Sequence, residues 1–126
     1  MTVEKVMERI KQNKSGYRCS DEQICDYITT LEHMLLTDVI RGRVGDAAAF
    51  ARMDGVDFYT NRNFVLLAAP PYDVIYEQYA ATQLDLLAED GDRYMNDMLV
   101  FKSTYTDFKR DWWATHRQKH QYRYHE

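Results

Sequence analysis

A mainly α fold is predicted for this chain: four helices, the last of them long, with a short β-hairpin or extended arm between the second and third. Three observations point there. Apolar residues recur at steps of three and four through four separate segments. Helix-entry signals stand where two of those segments begin, Ser20 with Gln23 and the Pro70-Pro71 pair ahead of Asp73. Tyr94, Met98, Phe101, Tyr105, Phe108 and Trp112 are spaced 4-3-4-3-4, a step that one face of a helix presents and a strand does not.

The first helix is expected over residues 2–13. Thr2 can cap it, and Val3, Val6, Met7 and Ile10 make one apolar stripe. Gly16 breaks the pattern. Ser20 opens the second helix with a capping box, and Asp21 and Glu22 suit the positive end of its dipole. Ile24, Tyr27, Ile28, Leu31, Leu35 and Val39 line its inner face, and Gly42 stops it after Arg41. Residues 43–69 read differently. A helical turn can form at 46–52. Turn signals follow at Asp54-Gly55 and Asn61–Asn63, beside two β-prone runs, "VDFY" and "FVLLA". A connector this long within a compact domain is usually functional or mobile.

The third helix follows "PPYD" and carries Ile75, Tyr76, Tyr79, Ala80, Leu84 and Leu87 to a stop at Gly91. The fourth is expected from Asp92 to about Lys119. That is some 28 residues and about 42 Å at 1.5 Å per residue, longer than the core of so small a domain. Tyr94, Met98, Phe101, Tyr105 and Phe108 are assigned to the protein's own core. The second half is expected to project. Met95, Leu99 and Trp113 lie off the seam, so apolar surface wraps partly round the helix. Trp112, Trp113 and the tail are therefore expected to meet another chain, because aromatic side chains with one polar edge are enriched at interfaces.

The 126 residues suffice for one domain, which needs neither disulfide nor metal to fold. No apolar run approaches the roughly 20 residues of a membrane span, and the charged N-terminus lacks a signal-peptide core. Cys19 and Cys25 are expected as free thiols of a cytoplasmic protein. The net charge is −4, unevenly spread: residues 109–126 carry five basic groups against two acidic ones. An acidic body with a basic tail suggests a partner for the tail.

Catalytic constellations are missing. There is no Gly-rich phosphate loop, no nucleophile elbow and no paired-cysteine metal motif. His116 and His120 stand four apart and could clamp a metal on a helix, with His125 or Glu126 near. Arg117 replaces the glutamate of zinc peptidases, and the neighbouring cations oppose a metal ion. Carboxylates at Glu89, Asp90 and Asp92 read as helix punctuation. The expectation is no enzyme, no cofactor and no metal. The run "RQKHQYRYH" could touch nucleic acid through phosphate contacts and ring stacking, which leaves a helical regulatory or nucleic-acid-binding module encoded by a prophage as the alternative reading.

The element order, "PYD" followed by Ile75-Tyr76, and "DGDRYMNDMLVF" with Tyr94, Asn96 and Phe101 resemble the small head–tail connector (adaptor, head-completion) proteins of tailed bacteriophages and prophages. The resemblance covers most of the chain, although 43–55 finds no counterpart. It implies a single connector-type domain that assembles into a ring, commonly of twelve copies, beneath the portal protein. The ring would extend the DNA channel and receive the next neck or tail-completion protein, with no enzymatic activity and no cofactor. The place implied is the virion neck, reached from the host cytoplasm. Carried onto this sequence, portal contact falls to Trp112, Trp113, His116, Arg117, Lys119, Tyr122, Arg123 and Tyr124. The arm, with Phe58, Tyr59 and Phe64, is implied in contact between subunits. DNA would pass without sequence-specific binding, the acidic body repelling it.

Overall fold

Residues 1–13 and 19–118 are described by the computed structural model. Five α-helices make up most of it: α1 (Val3–Asn13), α2 (Asp21–Leu35), α3 (Asp46–Met53), α4 (Ile75–Leu87) and α5 (Gly91–Thr115). A π-helical turn, Leu36–Ile40, continues α2, and a 3-10 turn, Tyr72–Val74, leads into α4. Among the described residues there is no strand, only isolated antiparallel bridges such as Thr2 with Val65 and Arg43 with Gln118.

The stripe expected on α1 is the buried one: Val3, Val6, Met7 and Ile10 are each at most 3% exposed. At the start of α2, the Ser20 hydroxyl accepts the Gln23 N–H at 3.2 Å from an extended backbone. Ile24, Ile28, Leu31 and Leu35 then face inward as their spacing predicts. Two further residues join them, Cys25 and the carboxylate-bearing Glu32. Past Leu35 the helix widens. The Arg41 N–H reaches back to the Leu36 carbonyl at 2.9 Å, one residue further than α pitch. The wider turn brings Leu36, Val39 and Ile40 all inside. Gly42, at φ +83°, then ends the helix.

The stretch 43–69, expected as a short hairpin or an extended arm, holds no strand among the described residues. Its first part is α3. Its β-prone run does not pair with "VDFY" but lies along the chain start: Val3 N–H donates to the Phe64 carbonyl at 3.1 Å, and Leu66 N–H to the Met1 carbonyl at 2.9 Å. The reason is packing. Phe58 is drawn into the core at 1% exposed and Phe64 tilts against it, ring centroids 4.9 Å apart. Arg52 of α3 lies over the Phe64 ring and donates to the Val65 carbonyl at 2.8 Å. Of the three residues assigned to an inter-subunit arm, Phe58 is thus internal, Phe64 is half-buried and only Tyr59 is exposed.

A buried polar cluster holds the end of this segment. Glu32 is fully buried. One carboxylate oxygen accepts the Tyr76 hydroxyl at 2.6 Å, the other the Leu67 N–H at 2.9 Å. The Tyr76 oxygen in turn accepts the Ala68 N–H at 3.0 Å. Four groups from α2, α4 and the arm therefore satisfy one another around a fully buried carboxylate. Burial pushes the Glu32 carboxyl up to about 7 against the pull of its two hydrogen bonds, and pushes the Tyr76 phenol well above its usual value.

The α4–α5 turn ends with Asp90, whose carboxylate caps the Arg93 N–H at 3.2 Å. α5 stops at Thr115, short of the expected Lys119, because His116 turns out of the helix with φ −125° and ψ 102°. Its 25 residues still span about 37 Å. Phe101 and Phe108 are buried. Met98 and Tyr105 are half-buried against the core. Tyr94 is half-buried but lies outside that cluster. No described helix is long and apolar enough to cross a membrane, and Cys19 and Cys25 are free thiols.

Candidate partner interface

The second half of α5 was expected to project; it lies instead along the π turn of its own chain. Tyr105 donates its hydroxyl to Asp38 at 2.7 Å, and Lys109 meets the same carboxylate at 3.3 Å. Burial, and then Asp38 itself, push the Tyr105 phenol upward. Phe108 sits edge-on to Tyr72 at 5.7 Å and tilted against Trp112 at 5.8 Å. The widened turn makes this possible by presenting Asp38 and the Val39 carbonyl toward α5.

Both tryptophans fold onto this surface. The Trp113 indole N–H donates to the Val39 carbonyl at 2.7 Å. Arg43 stacks over its ring at 4.3 Å and Lys109 stands at 4.6 Å, an arrangement in which two cations share one electron-rich ring. Trp113 as a whole remains 37% exposed. Trp112 is half-buried and stacks flat on His116, 3.9 Å between centroids. The His116 ring nitrogen Nδ1 lies 3.0 Å from the Trp112 carbonyl. The Trp112 indole nitrogen is buried and finds no partner among the described residues. Beyond the helix, Val44 N–H donates to the Arg117 carbonyl at 2.9 Å, and Arg43 to the His116 carbonyl at 3.3 Å.

Of the residues assigned to partner contact, Trp112, Trp113, His116 and Arg117 come together at this end. Arg117 is exposed and His116 half-buried. Lys119, Tyr122, Arg123 and Tyr124 lie outside the described residues, as does His120 of the candidate metal pair. Among the described residues no three histidine, cysteine or acidic side chains gather in metal-holding geometry.

Trp113→Phe is expected to lower stability by about 1 kcal/mol, the usual net value of one hydrogen bond, read by thermal unfolding. A projecting helix end would show no change.

Sequence reasoning missed two features. One is a groove of about 860 Å³ between α2 and α5. Thr30, His33 and Met34 of α2 and Thr37 of the π turn form one wall; Phe101, Lys102 and Thr106 form the opposite one. It exists because α4 packs on both helices, while α5 meets the α2 line chiefly at the π turn. Positions 30, 34 and 37 carry a second helical stripe, outside the apolar one, that could have announced it. The other feature is the extent of the exposed apolar surface away from the tail, of which the sequence marked only Met95 and Leu99. Leu86, Leu87, Met95, Leu99 and Val100 are each more than half exposed.

Compared with known proteins, the chain matches no family model, no curated protein and no solved structure.

Proposed function

We propose that the chain is a structural subunit of a phage particle, a head–tail connector that assembles as a ring between the portal and the tail and extends the DNA channel. The observation that carries this reading is the exposed apolar surface of the α4–α5 hairpin. Leu86 and Leu87 stand on the last turn of α4. On α5, Met95 and Leu99 share one face, and Val100 is turned about 100° from Leu99. Single exposed apolar residues are ordinary; a cluster on one hairpin marks a surface that another chain covers. A ring closes through heterologous contacts, so each subunit must show two unlike patches. The hairpin supplies one. The aromatic and basic end at Trp113 and Arg117, continued by Lys119, Tyr122, Arg123 and Tyr124, supplies the other and faces the portal. Arg43, Lys109 and Arg117 give that end a positive rim, while the rest of the surface is acidic and lets duplex DNA slide past.

The test mixes the purified chain with the portal protein encoded in the same phage genome. Co-sedimentation of a stoichiometric ring is expected. Arg117→Glu combined with Arg123→Glu should abolish it while leaving helical content unchanged. Failure to co-sediment, or salt-sensitive DNA binding carried by the same arginines, would replace this reading with the nucleic-acid module.

A further inference from the structure

α5 carries a second seam beside the one that closes the core. Asp92, Met95, Leu99, Lys102, Thr106, Lys109 and Trp113 are spaced 3-4-3-4-3-4. That heptad-like step is what one helix offers another. Met95 and Leu99 are 60% and 65% exposed at its first half. Its second half borders the groove, which Lys102 and Thr106 help to line. One half of the seam is therefore a ridge and the other a furrow with α2 as its far wall.

The seam is also complementary to its own reverse. Laid antiparallel about a point between Val100 and Phe101, it sets Met95 against Thr106 of the second helix and Leu99 against the aliphatic stem of Lys102. Asp92 meets Lys109, so the acidic start of each helix lies on the basic stretch of the other. The two helix dipoles oppose in the same arrangement. Met95 and Leu99 then enter the furrow toward Met34, itself 39% exposed. The overlap from residue 92 to 109 runs about 27 Å, five turns of helix.

We propose that the free chain pairs with a second copy through this face, the two α5 helices antiparallel and the Met95–Leu99 ridge of each seated in the α2–α5 groove of the other. The contact is isologous, using the same patch twice. It leaves Val100, Leu86 and Leu87 outside but covers Met95 and Leu99, so the pair belongs to the free chain and must open before the hairpin patch can join a ring.

Sedimentation equilibrium of the whole chain should give a dimer at micromolar concentration. Leu99→Glu on the ridge and Met34→Glu on the groove wall place a charge at the centre of the contact. Each should weaken dimerisation roughly thirtyfold or more with circular dichroism unchanged, both sites being exposed in the free chain. Orientation is read separately, from a Met95→Cys, Thr106→Cys double variant in a Cys19→Ser background, oxidised with diamide. Antiparallel pairing joins residue 95 of each copy to 106 of the other and stops at a covalent dimer. A ladder of higher oligomers would mean a heterologous contact and overturn the proposal. So would a wild-type chain that stays monomeric at millimolar concentration, or variants that dimerise as well as the parent.

Discussion

Glu32→Ala should be among the most damaging single changes in this protein, lowering stability by about 3 kcal/mol or more. The substitution strands the buried Tyr76 hydroxyl and the half-buried Leu67 N–H. It also opens a cavity between α2, α4 and the segment after Phe64. A midpoint drop of roughly 10 °C is expected by calorimetry. Glu32→Gln keeps the shape and separates the charge from the packing. Because burial holds the Glu32 carboxyl near 7 rather than 4.5, the folded chain retains a proton that the unfolded chain has already released between those values. The stability from this group is complete below about pH 4.5 and is lost as the pH rises through 7. The wild type should therefore lose about 3 kcal/mol relative to Glu32→Gln between pH 4.5 and pH 8, at roughly 1.4 kcal/mol per pKa unit. Parallel curves for the two proteins would show that Glu32 stays ionised in the fold.

Phe108→Ala is the second large effect expected, at about 3–5 kcal/mol. Phe108 is 4% exposed and joins three elements: it meets Tyr72 before α4, Trp112 on its own helix, and the core behind both. Its loss should also free the end of α5 from the π turn. Hydrogen exchange at 109–115 is therefore expected to accelerate more than exchange in α1. Uniform acceleration would mean that the helix end has no separate anchoring.

The helical stripes were legible because they repeat within a single element. Val3, Val6, Met7 and Ile10 on α1, and Ile24 through Leu35 on α2, needed only their own spacing to reveal the buried side. The Ser20 cap is equally local. Glu32 was not legible, since a carboxylate within an apolar stripe reads as a solvated face until Tyr76 and Leu67 arrive from elsewhere in the chain. The arm misled for a related reason. "FVLLA" signals extended backbone but not its partner, and the partner proved to be residues 1–3. The C-terminal aromatics announced a surface in need of cover, and part of that cover came from Asp38, Val39 and Arg43 of the same chain. The groove depends on how far α4 holds α2 and α5 apart, which no single helix records.

The wide turn at Leu36–Ile40 has a consequence for how this chain tolerates insertions and deletions. Removing one residue there would restore ordinary pitch and swing the flanking side chains by about 100°. Asp38 would leave Tyr105, and the Val39 carbonyl would leave the Trp113 indole, although every side chain involved was still encoded. At this point the length of the gene is under as tight a constraint as its spelling.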